Sequence, residues 1–313
     1  MTLKSKDFLG LYDKSLEEIN KILDTAVAMK DILTRSVKKV PTLRGKTVIN
    51  LFYEPSTRTK FSFNLAAKRL SADVMSISKS SSSIAKGESL LDTAKTMEVM
   101  GADVVVIRHS APGAAKFLAE NISASVLNAG DGAHAHPTQA LLDIYSIKEK
   151  LGKIKDLKVL IVGDIAHSRV ARSNIWGLKK LGAEVAVAGP QTLIPQGIEK
   201  MGVKVYSDLD QALEKVDVVN ILRIQMERQE SGLFPSIREY REIYGMNEER
   251  LKQIGKKAMI MHPGPMNRGI EIESSVADSS QSVITEQVKN GVAVRMALLY
   301  LLAGRELDNE NLN

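Results

Sequence analysis

The 313-residue chain contains no cysteine, which excludes disulfide bonds, thiolate metal sites and a cysteine nucleophile. Its longest apolar run, Met296 to Ala303, is far shorter than the roughly 18 residues that a membrane-spanning helix needs. The chain also opens without a basic and apolar signal segment. We therefore expect a cytoplasmic protein with no membrane partner.

Aromatic residues are also scarce, at 4% of the chain, and they would be needed to stack on nucleic-acid bases. Lys and Arg (43) exceed Asp and Glu (37), which gives a net charge of +6, yet no basic run is longer than two residues. Scattered positive charge suits an enzyme that attracts small anionic substrates. The composition argues against a nucleic-acid partner.

Short β-branched runs alternate with helical segments, an order typical of parallel sheets covered by helices on both faces. The first predicted strands are Thr47–Tyr53, Asp73–Ser78, Asp103–Arg108 and Ser125–Asn128. After a long helix over Thr138–Leu151 the second set follows, at Lys158–Val162, Glu184–Ala188, Val203–Tyr206, Asp217–Leu222 and Ala258–Met261. The predicted fold class is α/β, with two doubly wound parallel-sheet domains linked by helices and a cleft between them.

The domain boundaries are predicted from this alternation. We place the first domain at residues 1–137 together with a C-terminal helix at 286–313, and the second at 138–285, where 138–151 form the linking helix. No strand follows the C-terminal helix, so we expect it to return to the first domain. Two polar stretches, 79–87 and 226–240, are expected to be loops of the size found in lids.

The most informative segment is the turn after the first strand, Pro55-Ser56-Thr57-Arg58-Thr59. A strand that enters a helix through small hydroxyl residues directs backbone N–H groups and the positive end of the helix dipole at one point. Arg58 adds a guanidinium that can pair with phosphate oxygens. An ordinary Ser/Thr helix cap beside a solvated arginine fits the same residues. From this turn alone, a cap and a phosphate site both remain open.

Ligands of open α/β sheets bind beyond the carboxyl ends of the strands. The polar or backbone-presenting residues predicted there are Arg108, His136, Gln139, Arg169, Arg223, Gln225, Gly264 and Pro265. Several arginines suit substrates with several negative charges, while a neutral histidine can polarise a carbonyl and a glutamine can hydrogen-bond an amide. Because no obvious nucleophile is present, direct transfer between two bound substrates is favoured over a covalent intermediate.

Three other signals are weaker. His134 and His136 form a His-x-His pair without an acidic or cysteine partner nearby, so no metal is expected. Gly163 follows a strand but lacks the further glycines of a dinucleotide-binding turn. Lys86 is either a solvated loop lysine or one that a flexible loop brings into a nearby site.

Taken together, these segments resemble the aspartate/ornithine carbamoyltransferase family over essentially the whole chain. Ser56-Thr57-Arg58-Thr59 is similar to its carbamoyl-phosphate signature and His136-Pro137-Thr138-Gln139 to its second, with Arg108 between them. Lys86-Gly87-Glu88, His167-Ser168-Arg169-Val170 and Arg223-Ile224-Gln225 resemble segments of the members that use aspartate. In place of the cysteine-containing segment of the ornithine enzymes, this chain has His262-Pro263-Gly264-Pro265.

The resemblance implies a transferase that converts carbamoyl phosphate and L-aspartate into N-carbamoyl-L-aspartate and phosphate, an early step of pyrimidine synthesis, with no metal or organic cofactor. The aspartate amine would attack the carbamoyl carbon directly. Two alternatives remain: a carbamoyltransferase for ornithine or another amino acid, and a non-catalytic member of the family. A nucleic-acid binder is a third and weaker one.

The resemblance also assigns roles by position. It implies catalytic roles for Arg58, Thr59, Lys86, Arg108 and His136. Carbamoyl phosphate would be bound by Ser56, Thr57, Arg58, Thr59, Arg108, His136, Gln139, Gly264 and Pro265, and aspartate by Lys86, Arg169, Arg223 and Gln225. Lys86 and a loop serine, Ser82 or Ser83, would come from a neighbouring subunit, which implies a homotrimer with active sites at the subunit interface. Regulatory or dihydroorotase chains could be further partners.

Overall fold

A computed structural model describes residues 3–78, 87–224 and 236–304 of the chain. Its strands are β1 (Thr47–Phe52), β2 (Asp73–Ser78), β3 (Val104–His109), β4 (Ser125–Asp131), β5 (Lys158–Val162), β6 (Glu184–Ala188), β7 (Lys204–Tyr206), β8 (Val218–Ile221) and β9 (Met259–Met261). Its α-helices are α1 (Leu16–Thr34), α2 (Thr57–Arg69), α3 (Leu90–Val99), α4 (Ala114–Asn121), α5 (Pro137–Leu151), α6 (Arg169–Lys180), α7 (Leu209–Ala212), α8 (Ile237–Tyr244), α9 (Glu248–Gln253), α10 (Ser274–Ala277) and α11 (Ile284–Ala303). Strands and helices thus alternate through most of the described chain.

The strands form two parallel sheets, with the orders β2-β1-β3-β4 and β7-β6-β5-β8-β9. In the first sheet the chain goes from β1 to β2 and then crosses to place β3 on the other side of β1. In the second it goes from β5 through β6 to β7 and then crosses to place β8 beside β5. Such a reversal, the topological switch point, leaves a crevice at the carboxyl ends of the two strands, here β1/β3 and β5/β8.

The chain divides into two compact units, Met1–Leu141 with Lys289–Asn313, and Leu142–Val288. Each unit contains one of the two sheets. The divisions fall inside α5 and α11, so each of these helices contributes to both units. The predicted fold class of two parallel-sheet α/β domains is confirmed.

Burial explains why these segments form a sheet. Val104–Ile107 of β3 are fully buried, as expected for a strand that is covered by helices on both faces, whereas the edge strand β2 is largely exposed. The first core contains Ile49, Val105 and Leu118, and the second is built in the same way around β5, β8 and β9. Among the described helices, none is long and apolar enough to cross a membrane.

The observed strands differ from the predicted ones only at their ends. β4 continues to Asp131 rather than ending at Asn128, because the Asn128 side chain is buried and donates hydrogen bonds to the Leu9 carbonyl (2.9 Å) and the Asp131 carboxylate (2.8 Å). A polar residue that is satisfied in this way does not end a strand.

The prediction of a loop over 226–240 is wrong in its last part. Ser236 caps α8 by accepting a hydrogen bond from the Glu239 N–H at 3.1 Å, and the helix buries Tyr240 and Tyr244 on its inner face. Residues 225–235, and 79–86 of the other predicted loop, lie outside the described residues.

Candidate active site

The turn from β1 into α2 presents a helix N-terminus at the first switch point. Ser56 is the N-cap residue of α2 and is extended, yet its side chain accepts no capping hydrogen bond from the described chain. By contrast, Ser15 of α1 and Ser89 of α3 each accept a hydrogen bond from a backbone N–H of the first turn. The start of α2 therefore receives no cap from the Ser56 side chain within the described chain, and free N–H groups with a helix dipole are a suitable site for an anion.

The side chains of this turn differ in exposure. Thr57 and Arg58 are exposed at the start of α2, and Thr59 is buried. Lys60, the next residue, donates from Nζ to Ser78 Oγ at the carboxyl end of β2, at 2.7 Å. This contact ties the first turn of α2 to the sheet, so the predicted phosphate residues sit on a fixed helix start.

Arg108 lies near the carboxyl end of β3, which is next to β1 in the sheet. Its Nε is 3.3 Å from Oε2 of Glu54, and its Nη1 donates to the Ala129 carbonyl at 3.3 Å. Nη1 also lies 3.5 Å from Nε2 of His136. Because a guanidinium can only donate, this approach favours an unprotonated His136 Nε2. The structure thus brings together Arg108 and His136, which are separated along the chain.

His136 is presented by a turn that the buried carboxylate of Asp131 holds in place. Asp131 accepts hydrogen bonds from the backbone N–H groups of Gly113 (2.7 Å) and Ala135 (3.2 Å), and its Oδ2 lies 3.0 Å from Nδ1 of His134. His136 itself is buried at the start of α5, directly before Pro137. Proline is well suited to the first helical position because no N–H is needed there.

Gly132, within the same turn, cannot be replaced by another residue unless neighbouring atoms move. Its φ is +48°, and a Cβ at this position would lie 2.6 Å from the ring atoms of Pro112. Both the conformation and the space require glycine. The backbone between β4 and His136 is therefore fixed by a carboxylate and a close backbone approach.

The first unit places the predicted residues at adjacent strand ends. Gln139, with 8% of its surface exposed, lies in the first turn of α5, after β4. Because β1, β3 and β4 are parallel neighbours, their carboxyl ends share one edge of the sheet. Lys86, Gln225, Ser82 and Ser83 lie outside the described residues.

The second unit places two arginines at its own switch point. Arg169 is the first residue of α6, after β5, and is buried, and Arg223 follows the neighbouring strand β8 and is half-buried. Ser168 caps α6 by accepting a hydrogen bond from the Ala171 N–H at 3.1 Å. Within this unit, two cations that are distant in sequence thus lie at adjacent ends of parallel strands.

Two further groups border these strand ends. Asp164 is buried and lies 2.9 Å from Nδ1 of His167, just before Arg169. Burial raises the pKa of Tyr240 far above its ordinary value, and the carboxylates of Glu271 and Asp164 raise it further. Its hydroxyl therefore stays protonated, and it would lie 3.2 Å from a Cβ on Gly163.

The loop after β9 carries Gly264 and Pro265, at the third of these neighbouring strand ends. Gly264 has φ +62°, a conformation that favours glycine, and its peptide bond to Pro265 is cis. Its N–H donates to Nδ1 of His262 at 2.8 Å. No group of three or more His, Asp or Glu side chains in the described parts of the chain could hold a metal ion.

Two family models match the chain, and each covers the residues that form one of the two sheets. The carbamoyl-phosphate-binding domain of aspartate/ornithine carbamoyltransferases matches residues 6–149, and the aspartate/ornithine-binding domain of the same enzymes matches residues 155–302. The chain belongs to the aspartate/ornithine carbamoyltransferase family. The resemblance predicted from the motifs is confirmed, and with it the prediction of a transferase.

Curated carbamoyltransferases are similar to the chain over its full length. The aspartate carbamoyltransferase catalytic subunit of Halothermothrix orenii is 79% identical and covers 100% of both chains. That of Moorella thermoacetica is 65% identical over 97% of this chain and 99% of the relative. The prediction that the chain belongs with the aspartate enzymes is confirmed by these relatives.

Solved carbamoyltransferase structures share the fold. Aspartate transcarbamoylase from Trypanosoma cruzi, in complex with N-(phosphonacetyl)-L-aspartic acid, superposes with a TM-score of 0.87 at 30% identity, covering 95% of this chain and 96% of that one. The catalytic subunit of the M. jannaschii enzyme gives a TM-score of 0.84 at 37% identity, covering 98% and 99%.

Three residues whose hydrogen bonds or ion pairs hold parts of the candidate site were not predicted from the sequence of this carbamoyltransferase. Glu54 directly precedes the turn at Pro55, Asp131 lies three residues before His134, and His262 opens the segment His262-Pro263-Gly264-Pro265, but the sequence assigned no role to any of them. An acidic residue next to a predicted cation site, and an Asp between two glycines before a histidine, were signals that could have been used. Their hydrogen-bond partners are distant in sequence, so their roles become visible only in the folded chain.

Proposed function

We propose that the chain transfers the carbamoyl group of carbamoyl phosphate to the amino group of L-aspartate. The observation that carries the proposal is the placement of basic side chains at both switch points: Arg58 and Arg108 in the first unit, Arg169 and Arg223 in the second. A phosphate and a dicarboxylic amino acid both need such cations. The curated relatives are named aspartate carbamoyltransferases, which supports the same acceptor.

The first unit would bind carbamoyl phosphate. Backbone N–H groups at the start of α2, with Ser56, Thr57 and Thr59, surround the phosphate, and the exposed Arg58 pairs with its oxygens. As phosphate departs with an added negative charge, Arg58 stabilises it more than it stabilises the bound substrate, so the interaction lowers the barrier.

The reaction itself is a direct displacement at carbon. The aspartate amine attacks the carbamoyl carbon, and the carbonyl electrons move onto oxygen, where Thr59, Arg108 and His136 stabilise the charge. The attacking nitrogen loses one proton, and collapse of this intermediate breaks the bond between carbon and the bridging oxygen, so that phosphate leaves with the electron pair and takes up that proton. Gln139 and the carbonyls of Gly264 and Pro265 would orient the carbamoyl nitrogen.

Aspartate would be bound by the second unit. Arg169 and Arg223 pair with its two carboxylates, and Lys86 and Gln225 complete the set. Holding the amine at attacking distance removes most of the entropy cost of bringing two reactants together, which can contribute about 7–11 kcal/mol. Ornithine carries a second amino group, which these cations would repel.

We further propose a cytoplasmic homotrimer that acts in pyrimidine synthesis, with Lys86 and either Ser82 or Ser83 supplied to each site by a neighbouring subunit. Regulatory or dihydroorotase chains could bind this trimer. The support is the resemblance of the Lys86-Gly87-Glu88 segment, since the structure describes one chain.

The parts of the site that are proposed to bind aspartate and carbamoyl phosphate can be tested separately with Arg223→Ala. We expect KM for aspartate to rise at least about 100-fold, because a charge-paired contact is lost, while the Kd of carbamoyl phosphate measured by calorimetry stays unchanged. Arg238→Ala is the matched control, because Arg238 belongs to the same unit and its side chain is 88% exposed. Equal aspartate KM values in the two variants would contradict the proposed role of the second unit.

Mixing variants tests the shared site. If Lys86 acts on a neighbouring subunit, mixed assemblies of Lys86→Ala and Arg223→Ala chains contain some sites that carry neither change. We expect activity to return partly on mixing two inactive preparations. If mixed assemblies, verified by mass, stay inactive, the shared site is refuted. The roles proposed for residues within one subunit are not affected by that result.

A further inference from the structure

A buried pair in the second unit, His262 and Glu271, takes no part in the proposed chemistry. Both side chains are 0% exposed, and Nε2 of His262 lies 3.2 Å from Oε1 of Glu271. Burying a carboxylate is costly unless hydrogen bonds compensate, so such a pair is expected to hold something in place. Its remaining contacts show what it holds.

The hydrogen bonds of His262 fix the position of its ring proton. The Gly264 N–H donates to Nδ1 at 2.8 Å, so Nδ1 must carry a lone pair. The proton of a neutral ring is then on Nε2, directed at the Glu271 carboxylate. Both ring nitrogens are therefore used, one to hold the backbone of Gly264 and the other to hold Glu271.

Glu271 extends this link to the end of β8. Its Oε1 accepts the backbone N–H of Asn267 at 2.6 Å, and its Oε2 accepts from Asn267 Nδ2 at 3.1 Å. The same Asn267 amide donates to the carbonyl of Ile224 at 3.0 Å, next to Arg223. A series of hydrogen bonds through the side chains of His262, Glu271 and Asn267 thus joins the Gly264–Pro265 loop to the segment that carries Arg223.

The backbone of His262 is anchored on its other side. Its N–H donates to Oε1 of Gln287 at 3.0 Å, and Gln287 Nε2 donates to Oδ1 of the buried Asp143 at 2.8 Å. Oδ2 of Asp143 accepts from Nδ2 of Asn174, on the helix that Arg169 begins, at 2.8 Å. The network therefore extends from the loops after β8 and β9 to α6, the helix that begins with Arg169.

We propose that His262 is a positioning residue for carbamoyl transfer. Locked as the neutral tautomer with the proton on Nε2, it sets the Gly264 and Pro265 carbonyls for the carbamoyl nitrogen, and through Glu271 and Asn267 it sets the Arg223 segment for aspartate. It touches neither substrate. This inference rests on the proposed function of the second unit and adds the group that ties its two substrate contacts together.

The first test measures the protonation of the His262 ring directly and does not depend on catalytic activity. In protein labelled with ¹⁵N-histidine, we expect the His262 ring to give one unprotonated nitrogen and one protonated nitrogen, unchanged from about pH 5 to 8, where a solvated histidine titrates. The signal is assigned with His262→Asn. A proton on Nδ1, or a ring that titrates like a solvated one, overturns the proposal.

Two variants each remove one of the two hydrogen bonds of the His262 ring. In His262→Gln the amide nitrogen replaces Nε2 and still donates to Glu271, but the Gly264 N–H loses its acceptor. In His262→Asn the amide oxygen replaces Nδ1 and still accepts from Gly264, but the donor to Glu271 is lost. We expect the first to raise KM for carbamoyl phosphate and the second to raise KM for aspartate, each about 10-fold, because sub-ångström shifts of positioning groups carry such costs.

Asn267→Ala provides a second route should the buried variants not fold. Asn267 is half-buried, and its loss removes the donor to Ile224 while leaving His262 in place. We expect a rise of about 10-fold in aspartate KM. Gln281→Ala is the matched control, because this half-buried amide likewise donates to main-chain carbonyls, those of Gly255 and Ala258, in the same unit.

The outcomes distinguish the alternatives. If His262→Gln, His262→Asn and Asn267→Ala lower the unfolding midpoint but leave both KM values at those of Gln281→Ala, the network is structural only and the proposal is overturned. If the unsubstituted protein forms no product from aspartate, the proposed function fails instead, and the nitrogen spectrum still decides the tautomer.

Discussion

At the scale of single residues, Arg58 is expected to have the largest effect on rate. Because Arg58 is proposed to neutralise charge that grows as phosphate leaves, Arg58→Ala should lower kcat by about 10²–10³-fold, or roughly 3–4 kcal/mol. Lys68→Ala, at the exposed other end of α2, removes a positive charge from the same helix and should stay near the unsubstituted rate. Steady-state kinetics of both variants checks this, and similar rates in the two would rule out a special role for Arg58.

Asp131 should affect both stability and rate. Asp131→Asn places an NH₂ group where one oxygen accepted, and the N–H groups of Gly113 and Ala135 compete for a single acceptor. The expected cost is about 1–3 kcal/mol in the free energy of unfolding, together with a lower kcat, because the turn that presents His136 loosens.

The control for Asp131 lies before β3, at the other end of the same sheet. Asp103 also accepts a backbone N–H, that of Thr47, at 2.7 Å, and it pairs with Lys46 at 3.0 Å. Asp103→Asn should therefore lower stability and leave kcat unchanged. Parallel losses of rate in the two variants would show that the rate follows general stability rather than the His136 turn.

At the scale of secondary-structure elements, two helix starts should respond in opposite ways. Ser15 and Glu18 form a reciprocal capping box on α1, so Ser15→Ala should cost about 0.5–2 kcal/mol of stability without altering kinetics. Ser56 makes no such cap on α2, so Ser56→Ala should change stability little and raise KM for carbamoyl phosphate. Urea denaturation and kinetics of both variants provide the check, and a reversed pattern would restore the reading of Ser56 as a plain cap.

The elements themselves were largely predictable. Buried runs such as that of β3 show as continuous β-branched sequence, and the turn at Ser56–Thr59 has a clear helix-start composition. Strand order was not predictable, because β3 pairs with β1 across a large sequence separation and no local pattern encodes that choice. α8 was missed because its charged residues hide the two inward-facing tyrosines, Tyr240 and Tyr244.

The candidate site could be predicted for residues that are proposed to act through their own chemistry. Arg108 lies near the carboxyl end of β3, Arg58 and Arg169 come shortly after strand ends, and their charge indicates an anion. Asp131 and His262 act by holding backbone groups, and the sequence does not show which groups those are. Sequence therefore indicates the residues that we propose to face the ligands, and the structure adds those that we propose to position them.

At the scale of the whole molecule, Tyr145 should contribute to the loss of stability at high pH. Burial, with a smaller contribution from the nearby Glu149 carboxylate, raises the pKa of Tyr145 to about 12. The unfolded tyrosine ionises near pH 10, so above that pH the unfolded state binds fewer protons and stability falls until about pH 12. The stabilisation is thus complete below pH 10 and lost between about 10 and 12, with a limiting slope of about 1.4 kcal/mol per pH unit.

Comparison of variants isolates this contribution. Urea midpoints of Tyr145→Phe, measured from about pH 9 to 12, should fall less steeply than those of the unsubstituted chain, because phenylalanine does not ionise. Tyr300→Phe, at a site that is 38% exposed, should follow the unsubstituted chain. Identical pH dependence in all three proteins would contradict the role of the buried Tyr145 hydroxyl.

The identity of the acceptor tests the central claim most directly. Purified protein is mixed with ¹³C-carbamoyl phosphate and equal concentrations of aspartate, glutamate, ornithine and lysine, and the labelled ureido products are measured by NMR. The cations Arg169 and Arg223 predict that N-carbamoyl-L-aspartate is the dominant product and that ornithine is carbamoylated at background rate. Preferential labelling of ornithine, or no labelled product from any amine, would contradict the account.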